Sequence, residues 1–211
     1  AEKLRHGGAV TFSSAAALAL GVATVPVYEI YKAGEAPSWL KGLDVLSEAG
    51  LRAAVIPHYN NAEGGNHDTR YCYLGERRLA AMEAELPEGA FVLGVDEHTG
   101  LVLDLCAQTA TVVGLGTVTV RAKGRSAELA AGTTASMAEL AATAEALASG
   151  ASGSEVLTVL EEAGAGPGHS LTTAPAESSL LAGTRREEGA FAGALAEGDT
   201  HGAVRAILAR G

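Results

Sequence analysis

The chain has 211 residues, a formal net charge of −10 and 47% hydrophobic residues, enough for one sizeable domain or a domain with an appendage. The acidic balance argues against nucleic acid as a partner, because the phosphate backbone is bound by Lys and Arg. No apolar run reaches membrane-spanning length and no signal-peptide pattern opens the chain. Two cysteines, Cys72 and Cys106, are too few for a disulfide framework, so we expect reduced thiols in the cytoplasm.

The first informative segment is a predicted strand over residues 8–12, which contains the β-branched and apolar run Val10-Thr11-Phe12. Ser13 and Ser14 follow it, and an alanine-rich pattern predicts a helix over 15–21. A serine at a tight strand-to-helix turn is presented near the helix N-terminus, where backbone N–H groups can stabilise an oxyanion. The alternative is a serine that only caps a buried helix.

The middle of the chain alternates predicted helices with apolar strands. The strand predicted at 52–56 is wholly apolar from Ala53 to Ile56 and follows a helix, which indicates a parallel sheet covered on both faces. The last three strands are closely spaced and are expected to be antiparallel. The predicted fold class is therefore α/β, with a partly parallel sheet flanked by helices. The helices are predicted at 38–48 and 69–86, and the further strands at 90–95, 101–105, 110–114 and 117–121.

The composition changes near Lys123. Beyond it the chain is rich in Ala, Gly, Ser and Glu, and we predict a helical C-terminal appendage that carries no chemistry of its own. The expected domains are an α/β region over 1–123 and a helical region over 124–211. Capping boxes are predicted at Ser136…Glu139, Ser152…Glu155 and Thr184…Glu187, helix stops at Gly150, Gly164 and Gly198, and a flexible linker over 164–176.

Two ionisable residues in the first half are candidates for acid–base chemistry. His58 directly follows the apolar strand, and residues just past the carboxyl ends of strands converge on the ligand crevice of an α/β sheet. Glu29 lies among aromatic and aliphatic residues, where a carboxylate needs a hydrogen-bond partner such as a histidine N–H. The alternatives are a structural histidine and a surface glutamate on a short helix.

Further polar residues are candidates for lining a site. Asn60 lies in a polar loop after His58, Arg70 can bind a substrate carboxylate or pair with a neighbouring acid, and Glu97 ends another apolar strand. We assign these three residues to substrate binding. We predict no metal and no cofactor. The alternative is a metal site, although the spacing of the available residues matches no recognised ligand motif. Its ligands would be His58, Glu63, His67 and Asp68.

These elements together resemble the dipeptidase E and cyanophycinase family of serine peptidases over about residues 8–121. The stretch from Phe12 to Ala17 aligns with that family's Gly-x-Ser-Ala-Gly-Ala elbow, and Gly94 to Gly100 resembles a Gly-Ile-Asp-Glu-x-Thr-Ala segment of the cyanophycinase branch. The resemblance implies a class I glutamine amidotransferase-like fold. It also implies that Ser14 is the nucleophile, that Ala15 supplies an oxyanion N–H, and that Glu29 and His58 complete the triad.

The sequence departs from the family in two ways. Phe12 and Ala16 stand where the elbow has glycine, and the strands that precede the elbow in the family are missing from this chain. We therefore expect a fragment, a processed product or one piece of a two-chain protein, with a companion chain or a second copy completing the sheet.

The predicted function is hydrolysis of amide or peptide bonds, with aspartyl amide linkages as the substrates that the resemblance implies. Ser14 would attack a carbonyl, His58 would take its proton, and Glu29 would orient the imidazole. One alternative is a non-catalytic scaffold or binding subunit of a larger assembly. Another is an acyl transferase that uses the same triad.

Overall fold

A computed structural model describes residues 8–156 of the chain. From Phe12 onward these residues belong to one compact unit, whereas residues 8–11 group with a second unit and carry no helix or strand. None of the helices in this range is both long and apolar enough to cross a bilayer.

The chain folds into a mixed α/β structure. Its elements, in chain order, are α1 (Ala15–Leu18), β1 (Ala23–Thr24), α2 (Val27–Tyr31), β2 (Leu40–Lys41), the 3-10 helix η1 (Val45–Ala49), β3 (Ala53–Pro57), α3 (Gly75–Glu83), β4 (Phe91–Val95), β5 (Thr99–Asp104), β6 (Thr109–Gly114), β7 (Thr117–Ala122), β8 (Arg125–Ala130), β9 (Thr134–Ser136) and α4 (Met137–Ser149).

The central sheet has four strands in the order β3-β4-β7-β8. β3 and β4 run parallel, with Ala53 opposite Phe91 and Pro57 opposite Val95, and the other two pairs are antiparallel. The sequence predicted the parallel pairing from the wholly apolar β3, which is buried along its entire length. Because β3 and β4 are parallel, the loops that follow them emerge at the same edge of the sheet.

Alternation along the two parallel strands creates a core on each face of the central sheet. Val55 and Leu93 face one core, which they share with η1 and α4. Ile56 and Val92 face the other, which they share with α2 and α3. Two smaller sheets complete the fold: β1 pairs with β2, and β5, β6 and β9 form an antiparallel sheet in the order β5-β6-β9. The antiparallel arrangement predicted for residues 101–121 is present, but β7 joins the central sheet.

The structure differs from the predicted division at residues 123 and 124. That boundary falls in the turn between β7 and β8, which pair along their whole length. Ala127, Leu129 and Leu140 are buried in the same core as Val55. The change in composition therefore marks small residues that pack closely against the sheet, and residues 125–156 form part of the α/β unit rather than an appendage.

Several local predictions can be compared with the structure. The capping box of Ser136 and Glu139 is confirmed at the start of α4, and Gly150 ends that helix in the left-handed conformation. The Ser152 and Glu155 pair makes the predicted hydrogen bonds. The predicted strand at 8–12 is absent, and the helices over 15–21, 38–48 and 69–86 are reduced to α1, η1 and α3. Predictions for Gly164, Gly198, Thr184…Glu187 and the linker over 164–176 lie outside the described residues.

Candidate active site

Ser14 lies immediately before α1 in a backbone conformation that side chains rarely adopt. Its φ and ψ are 50° and −121°, and its side chain makes no capping hydrogen bond to the helix. A non-glycine residue held in such a region costs on the order of 1–3 kcal/mol, and residues of this kind cluster at functional sites. Its hydroxyl Oγ lies 3.0 Å from Nε2 of His58. The alternative in which Ser14 only caps the helix therefore does not describe this side chain.

His58 follows β3 directly, at the predicted edge of the sheet. Its own backbone is left-handed, with a φ of 51°. Its carbonyl oxygen accepts hydrogen bonds from the N–H groups of Asn61 and Cys72, while the next residue, Tyr59, donates its N–H to Val95 at the end of β4. These contacts fix the direction in which the imidazole leaves the sheet.

The carboxylate beside His58 belongs to Glu97. Its Oε1 lies 3.2 Å from Nδ1 of the imidazole, and both side chains are about one-third exposed, 38% for His58 and 35% for Glu97. Ser14, His58 and Glu97 thus form a continuous line of hydrogen-bonding groups. This is the arrangement that links a nucleophile, a base and an orienting acid in a catalytic triad.

Two asparagines hold Glu97 in place. Asn60 Oδ1 accepts the backbone N–H of Glu97 at 2.8 Å, and Asn61 Nδ2 donates to Glu97 Oε1 at 3.4 Å. Asn61 is buried, and its Oδ1 accepts the N–H of Glu63 at 3.1 Å, which fixes which end of its amide faces the carboxylate. Asn61 was not singled out from the sequence; its position next to Asn60 in the loop after β3 was the available signal.

The line of Ser14, His58 and Glu97 borders a cleft of about 240 Å³. The cleft opens between α1, η1, β3, β4 and β5. Its polar rim includes Ser13, Ser14, His58 and His98, and its floor consists of Leu20, Leu46, Val55, Leu93, Leu101 and Leu103. Two exposed serines therefore lie at the rim, and the structure places only the hydroxyl of Ser14 on the imidazole.

For Glu29 the structure differs from the sequence prediction. Glu29 lies exposed on α2, a five-residue helix that begins after Pro26, and its backbone carbonyl accepts the N–H of Glu35. The position beside the imidazole of His58 is occupied by Glu97 instead. The chain order of the acid and the histidine pointed to Glu29, whereas the parallel pairing of β3 and β4 brings Glu97 to His58.

The other predicted site residues have the following positions. Ala15 is the first residue of α1, so its N–H is one of the first-turn donors that lack a partner within a helix. Asn60 braces the backbone of Glu97, as described above. Arg70 donates Nε and Nη2 to the two carboxylate oxygens of Asp68, each at 2.9 Å, which is the alternative pairing that the sequence allowed. Hydrogen bonds from Arg70 hold the pKa of Asp68 well below its usual range.

The residues considered for a metal site have other partners. Among residues 8–156 no group of three His, Cys, Asp or Glu side chains is arranged to hold a metal ion. Asp68 pairs with Arg70, and Glu63 accepts the hydroxyl of Tyr73 at 2.9 Å. Of the two free cysteines, Cys106 is exposed, while burial of Cys72 raises the pKa of its thiol to about 11.

Comparisons with known proteins find little. No protein-family model and no curated protein matches this sequence. Among solved structures, part of the chain is similar to the crystal structure of a peptidase from an acI-B1 Actinobacterium, with a TM-score of 0.40 and 21% sequence identity. The match covers 57% of this chain and 42% of that chain, so the chain spans less than half the length of that peptidase.

Proposed function

We propose that this chain is a serine hydrolase of amide or peptide bonds, with Ser14 as nucleophile, His58 as general base and Glu97 as the orienting acid. The observation that carries the proposal is the line of contacts from Ser14 Oγ to His58 Nε2, at 3.0 Å, and from His58 Nδ1 to Glu97 Oε1, at 3.2 Å. Glu97 takes the role that the sequence suggested for Glu29.

The geometry suits general-base activation of the hydroxyl. When Nδ1–H donates to Glu97, Nε2 carries the lone pair and accepts the proton of Ser14. Attack then forms a bond from Ser14 Oγ to the substrate carbonyl carbon as the hydroxyl proton moves to Nε2. The C–N bond breaks as the same proton passes to the leaving amine. A water molecule then attacks the acyl carbon and gives one proton to Nε2. The bond from the acyl carbon to Ser14 Oγ breaks as that proton passes to Oγ, which releases the carboxylic acid.

The strained backbone of two residues of the site supports the proposed mechanism. Ser14 and His58 both hold non-glycine side chains at positive φ, 50° and 51°. Each such conformation costs on the order of 1–3 kcal/mol, so the surrounding contacts must hold both residues against relaxation. Preorganisation of this kind keeps the hydroxyl and imidazole at reacting distance before a substrate arrives.

The proposal assigns oxyanion stabilisation to the N–H of Ala15. This group directly follows the nucleophile, as in other serine hydrolases with a nucleophile elbow. Phe12 and Ala16 are both exposed, so neither side chain is packed into a tight strand-to-helix turn where only glycine would fit. Replacement of the elbow glycines is therefore compatible with the proposed geometry.

An active-site-directed fluorophosphonate tests the proposal, with Ser13→Ala as a matched control for Ser14→Ala. We expect labelling of the full chain and of S13A, located at Ser14 by peptide mass spectrometry, and no labelling of S14A. Turnover of an amide or activated ester should fall by at least about 10³-fold in S14A and stay near the parent rate in S13A.

Either of two results would contradict the proposal. Equal turnover in S14A and the parent protein would remove Ser14 from the mechanism. No labelling of a folded parent protein would favour the non-catalytic scaffold. Three further expectations stay predictions. They are transfer of the acyl group to an amine acceptor, a companion chain or second copy that completes the sheet, and a cytoplasmic location.

A further inference from the structure

The cleft beside Ser14 combines a polar rim with an apolar floor. Leu46, Val55 and Leu93 are buried at 6%, 5% and 2% exposure, and Leu20, Leu101 and Leu103 are partly buried around them. These side chains come from five different elements or their ends, so the floor is assembled by the fold rather than by one amphipathic segment. An apolar cavity of roughly 150 Å³ holds a benzene molecule, and this cleft, at about 240 Å³, has room for a group of that size.

Strand β5 supplies one wall of the cleft through its alternation. Leu101 and Leu103 point inward and are half-buried, whereas Val102 between them points outward and is 49% exposed. The inward pair leaves part of its apolar surface open in the cleft. That surface gains free energy when an apolar group of a substrate covers it.

The charges around the cleft disfavour an acidic group beside the scissile bond. Among the described residues that line it there is no lysine or arginine, and the carboxylates among them are those of Asp96 and Glu97. Asp96 already accepts the N–H and hydroxyl of Thr117, both at 2.9 Å. Arg70, the expected partner for a substrate carboxylate, is engaged by Asp68 outside the cleft lining.

We propose that the acyl side of the substrate carries an apolar group, aliphatic or aromatic, which occupies this cleft while its carbonyl carbon reaches Ser14. The inference rests on the proposed serine hydrolase function and replaces the aspartyl substrate that the sequence resemblance implied. Ser14 and His58 then contact the carbonyl and the leaving group, and the leucine-lined floor binds the acyl chain.

A series of p-nitrophenyl esters tests the acyl preference on the full chain. Acetyl, butyryl, hexanoyl and succinyl esters are compared, with the rate of S14A subtracted and each ester normalised to its hydrolysis by hydroxide. We expect kcat/KM to rise about fourfold for each added methylene up to the hexanoyl ester. The succinyl ester, which carries a carboxylate, should be turned over more slowly than the butyryl ester of the same chain length.

Leu101→Phe and Val102→Phe form a matched pair that locates the preference. L101F places extra volume in the cleft and should shift the optimum from hexanoyl to a shorter acyl group. V102F makes a similar change on the outward face of the same strand and should leave the chain-length profile unchanged. Circular dichroism and thermal unfolding of both variants establish that they are folded.

The outcomes separate this inference from the proposed function. Fluorophosphonate labelling at Ser14 with a flat ester series, or with faster turnover of the succinyl ester, would overturn the acyl preference and leave the hydrolase standing. A profile altered equally by L101F and V102F would also overturn it. Absence of labelling at Ser14 would remove the hydrolase and the acyl preference together.

Discussion

Glu97 contacts the imidazole of His58, 39 residues before it in the chain, because each follows one of two parallel neighbouring strands. The register places Pro57 opposite Val95, so the residues just after these two positions leave the sheet side by side. The carboxylate that serves the histidine is thus selected by strand pairing. Asn60 and Asn61 then hold it at the orientation that the imidazole requires.

Replacement of Glu97 by Gln should lower kcat strongly. The amide keeps the shape of the side chain but removes the charge that stabilises the imidazolium and favours the Nδ1–H tautomer. Loss of the equivalent carboxylate in a serine protease triad costs about 10⁴-fold, and we expect a loss of at least about 10²-fold here. Steady-state ester hydrolysis and the rate of fluorophosphonate labelling measure the effect.

Glu29→Gln is the matched control for that variant, since Glu29 is exposed on α2. We expect E29Q to keep the parent rate. A larger loss in E29Q than in E97Q would restore Glu29 as the acid and refute the assignment of Glu97.

Much of the central fold could be predicted from the sequence, because a continuous run of apolar residues indicates a strand that is buried on both faces. β3 and β4 were found within two residues of their bounds, and His58 was placed at the end of β3. The sequence did not identify the carboxylate beside His58, because nothing in the apolar runs encodes which carboxylate the register of β3 and β4 brings to it. Chain order, which suggested Glu29, is a poor substitute for that pairing.

The predicted domain boundary shows a different limit of composition. Strand β8 alternates exposed residues with buried Ala127 and Leu129, a period-two pattern in a segment whose Ala and Glu content suggested helix. Pairing with β7 decides its conformation. Helix α4, whose capping box is a local signal, was correctly expected to begin at Ser136 and to end at Gly150.

The stability of the protein should fall at acidic pH partly through Glu76. Hydrogen bonds from Arg121 hold the pKa of Glu76 below its ordinary value of 4.5. A carboxyl group whose pKa is lowered by folding stabilises the folded state fully above 4.5 and loses that contribution as pH falls through the lowered pKa. Glu76→Gln should therefore reduce the difference in the free energy of unfolding between pH 7 and pH 3.

Urea unfolding at a series of pH values measures this difference, with Glu145→Gln on the exposed face of α4 as control. E145Q removes one negative charge from an exposed position and is the control for that change in net charge. If the E76Q curve is parallel to the parent curve, the contact with Arg121 does not couple proton binding to folding.

Cys72 should resist thiol reagents that modify Cys106. Burial raises the pKa of Cys72 to about 11, so at pH 8 only about one thiol in a thousand is ionised even before access is considered. Cys106 is exposed at the turn after β5. Ellman's reagent at pH 8 should react with one thiol in the folded protein and two in urea. Cys106→Ala should abolish the fast reaction in the folded state, and a fast thiol persisting in C106A would show that Cys72 is accessible.

Arg121→Met should destabilise the fold far more than Arg70→Met. The Arg121 side chain is 6% exposed and pairs with Glu83, itself 4% exposed, as well as with the outer carboxylate of Glu76. Removal of the cation leaves the carboxylate of Glu83 buried without a counter-charge, with only the backbone N–H of Gly124 as a hydrogen-bond donor, which costs about 3–5 kcal/mol. Arg70 and Asp68 are 50% and 39% exposed, and such a pair contributes about 0–1 kcal/mol. Urea unfolding compares the two variants, and adding Glu83→Leu to R121M should recover part of the loss. Equal small losses in R121M and R70M would show that water reaches the Glu83 carboxylate.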